Sequence, residues 1–185
     1  IIDFILGNHE MWLQRLLAEH APGLASLDCL SFGELFGLTE FNINLVMGGD
    51  MLAPTTADKR AEAGKAWKLY HDTFVITHGT ATGRNAAASE LNRFKVSGCS
   101  GHLHTPSTAF SSSLDRPHLE WNVLPMMCKE SVGEIYLKGL PTTWSAGFAI
   151  VDIFPETRTH FYNPVHVRGG IAVSEGVVYR DERTR

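Results

Sequence analysis

Three times along this chain, an apolar stretch of strand length ends in a glycine-containing turn that carries histidine. The turns read Gly-Asn-His-Glu at 7–10, Thr-His-Gly at 77–79 and Gly-His-Leu-His at 101–104. Glycine lets the backbone bend sharply after each strand. Because the carboxyl ends of neighbouring strands meet at one edge of an open α/β sheet, the pattern predicts a sheet protein whose three turns converge on one edge.

The remaining periodicity indicates strand–helix units followed by a run of strands. Apolar or β-branched runs predict strands, and apolar residues at helical spacing predict helices. In the first part the strands cover 1–6, 41–47, 73–77 and 96–100, and the helices cover 10–20, 55–70 and 85–95, with room for a shorter helix within 24–38. The later strands cover 121–124, 147–154, 159–167 and 171–179. The predicted fold class is α/β with α+β character, in a single domain over 1–185.

The composition is that of a globular protein, with 44% hydrophobic and 19% charged residues. No apolar run approaches the length of a membrane span, and no basic segment precedes the apolar N-terminus, so we expect neither a membrane partner nor a signal peptide. A net charge of -4 argues against a broad basic face for nucleic acid but leaves a local basic groove open. The three widely spaced cysteines favour buried, reduced thiols in a cytoplasmic protein.

The residue types in the three turns point to metal binding. Imidazole is the commonest transition-metal ligand at neutral pH, and Asn8 adds a neutral amide oxygen. On an extended strand, His102 and His104 would face the same side and could bind one metal ion or two adjacent ions. Each motif alone has a structural explanation; the first, for example, could be a helix start with Asn8 as N-cap and Glu10 in the first turn. Their combination, each after an apolar strand, favours the metal site.

The three motifs together resemble the GNH[DE], histidine-glycine and GHxH motifs of the calcineurin-like metallophosphoesterases. The resemblance covers about residues 1–106 and implies a two-sheet β-sandwich flanked by helices, with two divalent metal ions, commonly Mn, Fe, Zn or Mg. It implies that Asn8, His78 and His102 bind the second metal ion and that His104 binds the first. It also implies that His9 lies beside the phosphate, where it stabilises developing charge or protonates the leaving oxygen.

The activity that the resemblance implies is hydrolysis of phosphate monoesters or diesters by a metal-bound hydroxide that attacks phosphorus in line. The short loop over 79–85 leaves no room for a large cap domain, so a nucleotide or nucleic-acid diester is an open substrate class. In that loop, Arg84 is a candidate phosphate clamp and Asn85 a second substrate-binding residue. The alternative is a solvated loop arginine with Asn85 as a helix cap.

The sequence also departs from the family. The DxH and GDxxD motifs, which supply the remaining first-metal ligands and the bridging aspartate, would precede residue 7, and Asp50 after two glycines does not replace them. We therefore expect an N-terminally incomplete phosphoesterase domain that could hold a single ion and is weak or inactive by itself. The alternatives are a binding protein that keeps the fold, one half of a split enzyme, and an unrelated mononuclear zinc hydrolase. Exposed sheet edges would allow a homo-oligomer or a complementing chain.

The remaining histidines and aromatic residues have simpler explanations. His20 at a helix C-terminus suits the helix dipole, and His118 is expected in a surface loop. Little indicates a functional contact for His71, His160 or His166. Four aromatic residues are expected in the core or on a sheet face, with stacking on a base or an aryl leaving group as the alternative: Trp121, Trp144, Phe148 and Phe154.

Overall fold

The structure, a computed structural model, describes residues 2–7, 9–46, 67–112, 114–115, 117–126, 138 and 142–181. Within these ranges the fold is mixed α/β, as the sequence predicts. In chain order the elements are β1 (Ile2–Ile5), α1 (Met11–His20), a 3-10 helix (Asp28–Leu30), α2 (Phe32–Leu35), β2 (Ile43–Val46), β3 (Trp67–Tyr70), β4 (Phe74–Thr77), α3 (Ala86–Phe94), β5 (Ser97–Ser100), β6 (Ser107–Ser111), β7 (Leu119–Val123), β8 (Ala146–Phe154), β9 (Thr159–Arg168), β10 (Ile171–Ser174) and β11 (Val177–Arg180).

By its contacts the chain divides into two compact units, Ile1–Lys68 with Thr77–Thr80 and Leu69–Ile76 with Ala81–Arg185. The first unit is built on the parallel pair of β1 and β2, in which Ile2 lies opposite Ile43. Phe4 of β1 packs on Phe32 of α2, with ring centroids 5.3 Å apart. Leu38, just before β2, is buried. These apolar contacts explain why two short apolar runs that are distant in the sequence pair as strands.

The core of the second unit is a five-stranded sheet in the order β3-β4-β5-β7-β6. Strand β7 pairs in parallel with β5 and antiparallel with β6. Helix α3 packs its apolar stripe on this sheet through Ala86 and Leu91, and Phe94 stacks on Trp121 with ring centroids 5.0 Å apart. Trp121 is completely buried, and its indole N–H donates to Ser100 Oγ at 3.1 Å. The prediction that Trp121 belongs to the core is confirmed.

A four-stranded antiparallel sheet in the order β11-β10-β9-β8 ends the described chain. The long pair of β8 and β9 runs from Ala146 opposite Val167 to Phe154 opposite Thr159. The prediction of one strand over 171–179 was wrong, because a turn at 175–176 separates β10 from β11. Glu175 and Gly176 both have positive φ, 51° and 77°, which reverses the chain and cannot continue a strand.

The prediction of a helix over 55–70 was wrong for its last four residues, because Trp67–Tyr70 form strand β3. The part of the predicted helix over 55–66 lies outside the described residues. Burial alternates along β3 with the period of two that a sheet imposes, and this pairing overrides the helical composition. The serine-rich edge strand β6 was not predicted, because few of its residues are apolar. No helix in the described part of the chain is long and apolar enough to cross a membrane.

Candidate metal and phosphate site

The turn after β1 lies directly against His78. The backbone N–H of Gly7 donates to Glu10 Oε2 at 2.9 Å, which closes the turn. A Cβ added at Gly7 would lie 2.6 Å from Glu10 Oε2 and 2.8 Å from His78 Nδ1, closer than real Cβ atoms approach other atoms. Only glycine therefore fits at position 7 without displacing these side chains. Within the first unit, the structure brings the first and second motifs together.

The first turn of helix α1 has no side-chain cap from the residue at its N-cap position. The residue at the N-cap position is Glu10, and its side chain makes no capping hydrogen bond to the helix. The helix-start alternative placed Glu10 in the first turn, whereas Glu10 lies just before the helix, at the N-cap position. Glu10 uses its carboxylate to hold Gly7 instead. Asn8 itself, predicted as a metal ligand, lies outside the described residues.

His9 lies on the surface, at the mouth of a cavity. Its ring stacks on Trp12, with centroids 4.5 Å apart and an interplanar angle of 26°, and its carbonyl oxygen accepts from the Trp12 N–H at 3.0 Å. The cavity measures about 380 Å³, and its wall includes His9, Phe4, Leu13 and Phe36. Its lining is mostly apolar. His9 is thus held in one orientation between solvent and an apolar recess.

His78 follows β4 in a tight turn, as the sequence predicts. The Gly79 N–H donates to Thr77 Oγ1 at 3.2 Å, and Gly79 has a φ of 90°, which favours glycine at this position. Thr77 is buried and His78 is half-buried. The turn therefore fixes the His78 ring at the end of a buried strand.

His102 and His104 lie in the loop between β5 and β6, and the expectation that they sit on an extended strand was wrong. Both residues have a φ of 61°, and the Leu103 N–H donates to Gly101 O at 2.7 Å. Such left-handed backbone costs a residue with a Cβ about 1–2 kcal/mol, and it persists where surrounding contacts determine it. The alternation of a strand therefore does not describe which way the two rings point.

His104 is contacted by the segment that precedes β8, through its backbone and through its ring. Its carbonyl oxygen accepts from the Ser145 N–H at 3.0 Å, and the Ser145 carbonyl in turn accepts from the Met126 N–H at 2.8 Å. Its ring meets the edge of Trp144, with centroids 4.6 Å apart and an interplanar angle of 83°. Trp144, expected in the core or on a sheet face, thus packs on a predicted metal ligand. The segment before β8 holds the third motif in its strained conformation.

Arg84 and Asn85 are both exposed, in the turn that precedes α3. Asn85 occupies the N-cap position of α3, as the helix-cap alternative predicts, although its side chain makes no capping hydrogen bond to the helix. The preceding loop is held instead by Glu90, whose carboxylate accepts from the Ala81 N–H at 2.8 Å. Arg93 lies 3.7 Å from the same carboxylate.

Glu90 was missed by the sequence analysis. Its side chain is 1% exposed, on the face of α3 that packs in the core. The available signal was a carboxylate at the same helical spacing as the buried Ala86, Ala87 and Leu91. Charged side chains are almost never fully buried unless they are paired. The Glu90 carboxylate is paired with the backbone N–H of Ala81, in the loop that carries Arg84.

The predicted site residues divide between the two units. Gly7, His9 and His78 belong to the first, while Arg84, Asn85, His102 and His104 belong to the second. Among the residues that the structure describes, no group of three or more histidine, cysteine, aspartate or glutamate side chains is arranged to hold a metal ion. The ligand set of Asn8, His78, His102 and His104 remains a prediction.

Comparison of the chain with protein-family models, with curated proteins and with solved structures finds no match.

Proposed function

We propose that this protein is a metal-dependent phosphoesterase of the calcineurin-like type, acting on phosphate monoesters or diesters. The observation that carries the proposal is the approach of the Gly7 turn to His78, so close that a side chain at position 7 would collide with the imidazole. The two motifs are far apart in the sequence, yet their turns lie in contact. A ligand cradle formed by the two turns would account for that contact.

The donor types fit a divalent transition metal. Imidazoles from His78, His102 and His104 and an amide oxygen from Asn8 suit Mn, Fe or Zn, and the missing Cβ of Gly7 lets the His78 ring pack against the first turn. When bound, divalent ions would polarise the phosphoryl oxygens and lower the pKa of a water molecule. The proposal includes the two-sheet β-sandwich fold that the resemblance implies. The five-stranded and four-stranded sheets of the second unit support it.

The chain's own residues would bind and orient the ester. His9, stacked on Trp12, would donate a hydrogen bond to a phosphoryl oxygen or a proton to the leaving oxygen. The apolar cavity beside it would take the organic part of the ester. Arg84, exposed on a loop that Glu90 holds, would bind a phosphate oxygen through its guanidinium.

The first test measures metal content by mass spectrometry on protein purified without chelator, together with hydrolysis of bis-p-nitrophenyl phosphate in added Mn. We expect bound metal in the parent protein and its loss in Gly7→Ala, because the new methyl group displaces His78. Gly33→Ala is the matched control, since nothing lies within 4 Å of the added methyl group, and it should keep its metal.

A second variant separates binding from catalysis. His9→Asn should keep the metal and lower turnover by about 100-fold or more, the usual contribution of a positioned acid or charge-stabilising group. Bound metal without turnover in the parent protein, and without rescue when a DxH…GDxxD segment is added upstream, would instead favour a binding protein that keeps the fold. No metal in the parent protein under any condition would refute the proposed ligand set.

A further inference from the structure

A second cavity lies within the second unit, at the opposite end of β5 from the loop that carries His102 and His104. Its volume is about 630 Å³, within the usual range for sites of small organic molecules. The wall includes Ser97 at the start of β5, Glu120 at the start of β7 and His160 at the start of β9. None of these residues takes part in the proposed phosphoesterase site, so the cavity needs its own explanation.

The polar centre of this cavity is an incompletely satisfied pair. The side chain of His160 is 11% exposed, and its Nε2 atom is buried without a hydrogen-bond partner in the described part of the chain. The nearest carboxylate atom, Glu120 Oε2, lies 4.0 Å away, too far for a hydrogen bond. The other oxygen of Glu120 accepts from Asn122 Nδ2 at 2.5 Å, which fixes the carboxylate. The Phe74 ring, 4.9 Å from the imidazole, packs against His160 on another side.

The charges around the cavity favour a cation. Among the residues that the structure describes, its wall carries the carboxylates of Asp72, Asp115 and Glu120 and the guanidinium of Arg158. Burial lowers the pKa of His160, an effect that Glu120 only partly offsets, so the imidazole is neutral at neutral pH. A neutral imidazole can accept a hydrogen bond, whereas an anion would meet an excess of negative charge.

The apolar part of the cavity wall is built around two aromatic rings. The rings of Phe110 and Phe161 line the cavity and are 76% and 61% exposed, so both are accessible to a ligand. Leu119 and Val96 continue this apolar surface inward. Aromatic rings beside carboxylates attract organic cations through both the apolar contact and the ring quadrupole.

We propose that this cavity binds a small organic cation, a ring- or chain-bearing ammonium or amidinium. Its N–H groups donate to the Glu120 carboxylate, and its apolar body lies against Phe110 and Phe161. The neutral His160 imidazole beside that carboxylate adds no competing positive charge. This site is independent of the phosphoesterase proposal, because it shares no residue with it.

The test uses benzamidine as the probe, with benzamide as a neutral molecule of nearly the same shape. Each is titrated at pH 7.5 into isotopically labelled protein, and amide chemical shifts are followed by NMR. We expect saturable shifts with benzamidine at Glu120, His160 and Phe161, and none with benzamide. Equal binding of benzamide, or no saturable shift at these residues with benzamidine, would overturn the proposal.

Matched variants test the charge directly. Glu120→Gln keeps an oxygen that can accept from Asn122 but removes the negative charge, and it should weaken benzamidine by about tenfold or more. Asp152→Asn removes the same charge from an exposed position on β8 outside the cavity and should leave the affinity unchanged. Phe161→Ala, an exposed substitution that the fold should tolerate, should also weaken binding. Equal losses in Glu120→Gln and Asp152→Asn would show a nonspecific charge effect and refute the site.

Discussion

Replacement of Gly98 by alanine adds a single methyl group, and we expect it to lower the free energy of unfolding of the second unit substantially. Gly98 lies in the middle of β5, opposite Trp121 of β7. An added Cβ would overlap the carbonyl oxygen of Val75 and would lie 2.7 Å from Cζ3 of Trp121. Neither neighbour can move easily, because one is backbone and the other is a completely buried indole bonded to Ser100.

The size of the effect follows from these contacts. An extra methyl group in a packed core costs about 1–3 kcal/mol, and we expect the upper end because a backbone atom is involved. For a chain of this length, 3 kcal/mol corresponds to a fall in Tm of roughly 6–12 °C. Gly33→Ala in α2 is the control, since nothing lies within 4 Å of its added methyl group. Alanine also favours helix over glycine by up to about 1 kcal/mol.

The assay is urea denaturation followed by circular dichroism, with calorimetry for the Tm of each variant. Gly98→Ala should shift the midpoint to lower urea with an unchanged slope, and Gly33→Ala should leave it unchanged or raise it. If both variants had the parent's stability, the close packing of β4, β5 and β7 around position 98 would be refuted.

Two further predictions concern titratable groups. Burial raises the pKa of the Cys99 thiol to about 12. Iodoacetamide at pH 8 should therefore alkylate exposed Cys29 in the native protein and Cys99 only after denaturation, as measured by peptide mass spectrometry. Equal alkylation rates for the two cysteines in the native protein would contradict this prediction. Because burial lowers the pKa of His160, the unfolded chain binds a proton below about pH 6.5 that the native state does not. Stability should therefore be level above that pH and fall as the pH drops through it, and denaturation of His160→Gln should show a shallower fall; an identical pH profile would exclude His160 as the cause.

Much of the predicted site is local, and local features were predictable. Each of the three motif turns follows a strand in the structure. For the first two, an apolar run before a glycine-containing turn indicates the strand end without help from distant residues, whereas β5 reads Ser-Gly-Cys-Ser and is not apolar. Helix α3 was predicted for the same reason, from its own spacing of apolar residues. The approach of Gly7 to His78 brings two of the three turns together, although the expectation of a single sheet was wrong, because β1 pairs with β2 and lies in a different sheet from β4 and β5.

Other features depend on partners that are remote in the sequence. The segment Trp67–Tyr70 became a strand because it pairs beside β4 in the sheet, although its neighbourhood has a helical composition. His104, in a left-handed conformation, accepts a hydrogen bond from the Ser145 N–H, which no local pattern indicates. The sequence pattern assigned His102 and His104 an extended conformation, and the structure gives both a positive φ instead.

By itself, the sequence determined the fold class, the positions of the strand-ending turns and the donor types that they carry, because these follow from hydrophobic periodicity and side-chain chemistry along a short stretch of chain. Only the tertiary structure decided that Glu90 fastens the Arg84 loop and that Glu120 and His160 face each other in a second cavity. Burial and charge at such positions are properties of the packed elements around them, and a residue's own neighbours in the chain do not specify them.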